Sequence, residues 1–237
     1  MADGVFFIDK QTGKVFLENV ISNTLSINTP ISAYTYSVNK QNYAVKTETN
    51  SDVSIFFSND VYIKVKESTH FTFDSFDQSV SNLNDLPSKA QYVSYMSSVS
   101  LVDGELDVVS NQKELTESFA IINTSLASIL LNKGKFVITS DYKTTIIVVL
   151  EGTATVLDNS SKKKEIVKAK NTVVIVPAPK FQMKGIETIR RGNIFSIKET
   201  SPSDVDSYLS SINQLDDATK HNRFIIINKS VKGVRID

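Results

Sequence analysis

Apolar and polar residues alternate with a period of two along most of this chain, so that every second side chain lies on the same face of a strand. The pattern is clearest between Val99 and Pro177, where Ile147 and Val149 lie two apart and Glu151-Gly152-Thr153 predicts a turn. It also runs from Val53 to Val65. The sequence therefore predicts an all-β fold of about fifteen or more short antiparallel strands, arranged as a β-sandwich, jelly-roll-like, or as a short β-solenoid.

Polar and glycine-containing segments divide this pattern into strands. Gln11-Thr12-Gly13-Lys14 predicts a first hairpin between Val5–Ile8 and Val15–Leu17, and Asp103-Gly104 predicts another turn. The polar segment from Ser75 to Lys89 predicts a surface loop or short insertion.

One segment near the C-terminus has a helical period instead. Ser201 followed by Pro202 is typical of a helix start, and the pattern predicts a helix from about Pro202 to Lys220. Phe224–Asn228 and Val231–Ile236 are then expected to be two closing strands. The apolar stripe of the predicted helix consists of Val205, Tyr208, Leu209, Ile212 and Leu215.

Composition places the chain among ordinary globular proteins. It has 237 residues, of which 41% are hydrophobic and 22% charged, with 26 basic residues balanced by 26 acidic ones. A chain without net charge exerts no long-range attraction on nucleic acid or anionic membranes. It has no cysteine, which excludes disulfides, thiolate nucleophiles and cysteine-bound metals.

Two histidines and three acidic residues are candidate ligands or catalysts. His70 is expected to be a surface or packing residue, and His221 to end the helix, where a cation suits the helix dipole. Asp103, Glu105 and Asp107 share one strand face, which predicts a solvated face rather than an acidic Ca²⁺ or sugar site. No hydrolase triad, phosphate loop or cupin-type histidine set is present, so no catalytic, cofactor or metal site is predicted.

Basic and aromatic clusters have similar alternatives. Lys162-Lys163-Lys164 and Arg190-Arg191 are expected to be solvated rather than to bind nucleic acid. Aromatic residues on the early strands, if exposed, could stack on sugars or anchor a protein. Burial of both faces of a two-layer sheet is the favoured alternative. These aromatic residues are Tyr34, Tyr36, Tyr43, Phe56 and Tyr62.

Several short motifs in a fixed order resemble the FecR domain of bacterial extracytoplasmic sensor proteins. The resemblance covers roughly residues 40 to 177, and one departure is Lys170, where the family usually has glycine. The motifs are Val45-Lys46-Thr47, Asn50-Ser51-Asp52-Val53, Val61-Tyr62-Ile63, Glu67-Ser68, Leu101 to Val108 with Gly104-Glu105-Leu106, Gly134-Lys135-Phe136 with Ile138, Val149-Leu150-Glu151-Gly152-Thr153, and Ile166 to Val176.

The resemblance implies a FecR-like β domain over residues 1–185, with residues 186–237 as a strand–helix–strand extension packed on it. It further implies a periplasmic or extracellular protein whose signal peptide has been removed, although a cytoplasmic location stays open. We therefore expect a non-enzymatic envelope protein that binds a protein or polysaccharide partner, in signalling or cell-surface assembly. The alternative is a carbohydrate-active enzyme that uses a carboxylate pair, with Asp103 and Glu105 as candidates.

Overall fold

A computed structural model contains fifteen described β-strands and one α-helix. The described residues are 2–3, 5–19, 35–37, 43–57, 59–81, 92–111, 119–179 and 192–232. The strands are β1 (Ala2–Asp3), β2 (Val5–Thr12), β3 (Val15–Asn19), β4 (Thr35–Ser37), β5 (Tyr43–Thr47), β6 (Asp52–Phe57), β7 (Val61–Val65), β8 (His70–Ser81), β9 (Tyr92–Ser110), β10 (Phe119–Asn123), β11 (Ala127–Ser140), β12 (Thr145–Asp158), β13 (Lys164–Lys168), β14 (Asn171–Val176) and β15 (Ile194–Glu199). The helix, α1, spans Pro202–Lys232.

The prediction of an all-β fold with one helix near the C-terminus is confirmed. All the strands belong to one hydrogen-bonded sheet, in which β9 pairs with β7, β8, β10 and β11. Among the described pairings only β9 with β10 is parallel, so the antiparallel prediction has this one exception.

The sheet is folded so that two layers pack face to face. The first layer contains β2, β6, β7, β14 and β15, and the second contains β3, β5, β8, β10 and β13. Phe6 on β2 stacks on Phe73 of β8 with ring centroids 4.2 Å apart, although these strands do not pair with each other. One cluster of buried residues joins the two layers, as face-to-face packing of apolar sheet surfaces requires.

The long strands β9, β11 and β12 belong to both layers and bend where they pass between them. Gly104 lies at the bend of β9 with φ 103°, and Gly152 lies at the bend of β12 with φ 80°. Gly152 pairs with Gly134, and a Cβ at Gly152 would overlap the carbonyl oxygen of Lys133. The predicted turns at Asp103-Gly104 and Glu151-Gly152-Thr153 are therefore wrong, because the strands continue through both glycines.

Two further boundaries differ from the prediction. β2 pairs with β4 and β6 while β3 pairs with β5, so within the described pairings the chain at Gly13 changes layers instead of forming a hairpin. β8 continues to Ser81, so the predicted loop from Ser75 is wrong in its first half, and residues 82–91 lie outside the described part. Lys170, which departs from the glycine usual in the FecR family, adopts a left-handed conformation with φ 63°.

The helix is longer than predicted. Residues 224–228, predicted as a strand, are helical in α1, which ends at Lys232, and residues 233–237 lie outside the described chain. A helix adds residues cooperatively once it is nucleated, so the turns before residue 224 favour helix over the β propensity of this short run. The predicted boundary between residues 185 and 186 also lies outside the described residues.

Candidate functional site

Helix α1 packs on the outer face of the first layer through its apolar stripe. The backbone N–H of Asp204 donates to the Ser201 hydroxyl at 3.2 Å, which is the predicted cap at the helix start. Ile212 and Leu215 are buried among side chains of β6, β7, β9, β11 and β12. The buried sheet residues under α1 are Phe56, Tyr62, Val109, Val137, Val148 and Leu150.

Asp107 lies beneath the helix and not on a solvated face. Its side chain is 1% exposed, and its Oδ2 lies 3.2 Å from the Lys66 ammonium and accepts a 2.9 Å hydrogen bond from Ser211 of α1. Lys66 also donates to the Ser211 hydroxyl at 3.2 Å. The prediction of a solvated acidic strand face is therefore wrong for Asp107, because the helix covers this end of β9.

A second lysine fixes the helix from β11. Lys135 donates to Glu151 at 3.1 Å and to Asn213 of α1 at 3.0 Å, and it lies 3.5 Å from the carboxylate of Asp216. Lys66 and Lys135 thus bind the helix at polar positions that flank the apolar contact of Ile212.

The other two members of the acidic triplet are half-buried. Glu105 accepts a 3.2 Å hydrogen bond from Thr139. Burial raises the pKa of Tyr208 on α1, and the negative charges of Glu105, Asp204 and Asp107 raise it further. Asp103 pairs in register with His70, and one of its carboxylate oxygens is buried without a hydrogen bond.

Of the five early aromatic residues, the structure describes three side chains, and none of these three is exposed. Phe56 and Tyr62 are buried under α1, with their rings edge to face at 5.1 Å. Tyr43 is half-buried and packs on the core beside Phe6. Tyr36 lies on β4, paired with Phe6, and Tyr34 lies outside the described residues. For Phe56 and Tyr62 the alternative that both sheet faces are buried is correct.

The two histidines and the basic clusters do not come together in one site among the described residues. His70 is half-buried on β8, and His221 lies inside α1, so its predicted role at the helix end is wrong. Lys162 and Lys163 are exposed just before β13 and Lys164 is exposed as its first residue, whereas Arg190-Arg191 lies outside the described chain. The described residues contain no group of three potential metal ligands and no helix long and apolar enough to span a bilayer.

The outer face of the second layer carries a row of outward side chains that α1 does not cover; we call it the open face. Residues paired in register share a face, so the row crosses from β13 through β12, β11 and β10 to β9. Ile166 is 60% exposed, and Met96, two residues from Ser98 on β9, is 42% exposed. The row consists of Ile166, Thr155, Leu130, Ile121 and Ser98.

A polar network borders the open face at β8. The exposed carboxylate of Asp74 accepts hydrogen bonds from Ser100 at 2.7 Å and from Asn123 at 3.2 Å. It also accepts from Ser98 at 3.3 Å, and Asn123 donates to Ser98 at 2.9 Å. The open face therefore has an apolar centre and a hydrogen-bonded polar margin, an arrangement typical of protein interfaces.

The open face is not evident in the sequence, because apolar and polar residues do not alternate clearly in most of the strands that form it. Leu126 to Leu131 is almost wholly apolar, so alternation could not distinguish the outward Leu130 from its inward neighbours. The signal that was present is Lys164, Ile166 and Lys168, which alternate with Glu165 and the buried Val167.

Asp158 organises the loop between β12 and β13. Its carboxylate is buried and accepts hydrogen bonds from the hydroxyl of Ser161, the backbone N–H of Ser160 at 3.0 Å and the side chain of Asn193 at 2.7 Å. Burial raises the pKa of Asp158, but the hydrogen bonds from Ser161, Ser160 and Asn193 outweigh it and lower the pKa from 3.8 to about 2. This carboxylate therefore has a structural role.

The low pKa of Asp158 predicts a specific acid sensitivity. Because the folded-state pKa lies below the unfolded value, ionised Asp158 stabilises the fold above pH 4, and this stabilisation is lost as the pH falls from 4 towards 2. In chemical denaturation at several pH values, Asp158→Asn should be less stable at pH 7 and should show a shallower loss below pH 4. Ser161→Ala, which removes one donor, should be intermediate. Equal acid dependence in wild type and Asp158→Asn would contradict the prediction.

Comparison with known proteins gives a weak structural likeness. No family model and no curated protein matches the chain. It is similar to two crystal structures, at 2.50 and 1.65 Å resolution, of a candidate anti-sigma factor from Parabacteroides distasonis ATCC 8503, with 10% identity and TM-scores of 0.48 and 0.47. The alignments cover 71% and 70% of this chain, and the chain spans only 64% of each crystallised protein. The resemblance to FecR sensor proteins therefore stays a prediction.

Proposed function

We propose that this chain is a non-enzymatic binding domain that recognises a protein partner through the open face, in signalling or assembly at the bacterial cell envelope. The observation that carries the proposal is the open face itself. A row that crosses several strands contains the half-buried Ile121 and Leu130 and the exposed Ile166 beside a polar margin, while the outer face of the first layer is covered by α1. The envelope location follows from the FecR resemblance alone.

The use of the carboxylates supports a non-enzymatic role. Asp107 is paired with Lys66 and Ser211 beneath the helix. Asp158 accepts several hydrogen bonds that hold a loop. Glycoside hydrolysis needs two carboxyl groups that face a cleft and are free to exchange protons. Asp107 and Asp158 therefore serve the fold, and in the candidate pair Asp103 and Glu105 the Glu105 carboxylate accepts a hydrogen bond from Thr139.

The open face favours a protein over a polysaccharide. Sugar sites commonly stack the ring on an exposed aromatic side chain, and none of the five residues in the row is aromatic. The most accessible apolar side chains of the open face are Ile166 and Met96, and neither is aromatic. Aliphatic and methionine side chains bury apolar area against another protein.

Affinity capture from an envelope extract of the source organism tests this proposal. Wild type should retain a specific set of proteins, and Met96→Arg combined with Thr155→Arg should lose them, because both changes place a cation within the face. Tyr142→Arg is the matched control, since Tyr142 is 71% exposed in the loop between β11 and β12, and it should retain the set. Identical retention by all three proteins would contradict the proposed face.

A panel of glycoside and ester substrates tests the enzymatic alternative on the same preparations. A non-enzymatic domain should give no turnover above the buffer blank. Turnover that is lost in Asp103→Asn or Glu105→Gln would overturn the non-enzymatic role.

A further inference from the structure

Strand β13 lies at an edge of the sheet. It pairs with β12 over Lys164–Lys168 and, within the described part of the chain, with no other strand. In an antiparallel pair, alternate residues direct their N–H and C=O groups away from the partner strand. The far side of β13 therefore presents backbone donors and acceptors to which a further strand can bind.

The outward side chains of β13 are basic and apolar in alternation. Lys164, Ile166 and Lys168 are all exposed on the face that Ile166 shares with Thr155. Neither Lys164 nor Lys168 has an ion pair among the described residues. Glu165, the nearest acid in sequence, lies on the opposite face and pairs with Lys163 at 2.6 Å.

This charge pattern selects between occupants of the edge. If a second copy paired antiparallel about Ile166, Lys164 of each copy would lie opposite Lys168 of the other. Two pairs of lysines would then repel each other across the strands. Like charges directly opposite each other destabilise a strand pair. A segment with two acidic residues four apart and an apolar residue midway between them would instead place a carboxylate opposite each lysine and an apolar side chain opposite Ile166.

We propose that β13 is a docking edge at which a segment of a partner protein, with two acidic residues four apart and an apolar residue midway between them, adds as a further strand. This deepens and rests on the proposed function, because Ile166 also belongs to the open face. Backbone hydrogen bonds along the edge would supply affinity, and the two lysines would select the sequence of the added strand.

A synthetic peptide tests the edge directly. The probe is acetyl-Thr-Glu-Thr-Val-Thr-Glu-Thr-amide, titrated into the ¹⁵N-labelled full chain and followed by amide chemical shifts. Shifts are expected along β13 and its partner strand β12. Lys164→Glu with Lys168→Glu should weaken binding at least about tenfold, since two attractive cross-strand pairs become repulsive. The same variant should gain binding to the peptide in which lysine replaces each glutamate.

Two controls separate strand addition from simple charge attraction. Lys198→Glu reverses an exposed charge on β15 instead and should bind the acidic peptide as wild type does. N-methylation of alternate backbone nitrogens of the peptide keeps its charge but removes its ladder donors, and it should abolish binding. Equal binding of the methylated peptide, or no binding of the acidic peptide, would overturn the inference; in the second case the lysines only protect the edge from aggregation.

The outcome is distinguishable from that of the proposed function. If the envelope capture is lost in the Met96 and Thr155 variant but unchanged in Lys164→Glu with Lys168→Glu, the open face binds a partner and the docking edge is wrong. If neither variant changes the capture, the proposed function itself fails.

Discussion

Deletion of residues 202–237 is expected to lower the free energy of unfolding by several kcal/mol or to make the protein insoluble. Full burial of a side chain such as Ile212 or Leu215 contributes about 1.5–3 kcal/mol. The deletion also uncovers the apolar sheet face that contains Phe56 and Tyr62 and leaves Asp107 without its Ser211 donor. Chemical denaturation followed by far-UV circular dichroism measures the loss.

A point variant keeps this prediction testable if the truncated chain cannot be purified. Ile212→Asp in the full chain places a charge in the same contact and should destabilise by about 3 kcal/mol or more. Ser210→Asp, at an exposed position of the same helix, should stay within about 0.5 kcal/mol of wild type. A truncated chain that stays monomeric and equally stable would show that α1 is a separate interaction arm.

The contact of α1 with the sheet shows what the sequence could predict. The apolar stripe of the helix followed from its spacing, because an amphipathic helix buries one side. The place on the sheet where α1 packs could not be predicted in the same way. Lys66, Asp107 and Ser211 are far apart in sequence, and nothing local indicates that they meet. For the same reason, Asp107 on the alternating strand β9 was predicted to be solvated.

The glycines illustrate a second limit. A glycine between two alternating segments predicts a break in the strand, and the breaks at Gly104 and Gly152 are real in that both residues have positive φ. Whether the chain then reverses or continues into another layer depends on which distant strands pair on each side. β9 pairs with β8 before Gly104 and with β7 after it, and local propensity contains neither pairing.

The open face was the least predictable feature. Its row is a property of register across several strands, and a shift of one residue in any of them would exchange inward and outward side chains. Ile121 and Leu130 lie in runs where neighbouring residues are also apolar, so the sequence does not distinguish their two faces. Only β13, where lysines flank Ile166, shows its outward side clearly.

Substitution of Gly152 is also expected to cause a large loss of stability. Both its backbone conformation and the close approach of a neighbouring strand require a residue without a Cβ. Its φ of 80° disfavours any residue with a Cβ, and an added Cβ would overlap the Lys133 carbonyl oxygen of the neighbouring strand. Left-handed backbone alone costs an ordinary residue about 1–2 kcal/mol. Gly152→Ala should therefore lose about 3 kcal/mol or more, since β11 and β12 must also move apart.

Comparison with asparagine separates the two requirements at this bend. Asparagine tolerates left-handed backbone, and the described residues include Asn50 at φ 56°, so Gly152→Asn would be mild if φ alone mattered. Because its Cβ meets the same carbonyl, we expect it to be as destabilising as Gly152→Ala in denaturant titrations. Thr153→Ala, one residue on, should cost no more than about 1 kcal/mol. A stable Gly152→Asn protein would show that backbone conformation, and not the close approach of β11, makes glycine necessary there.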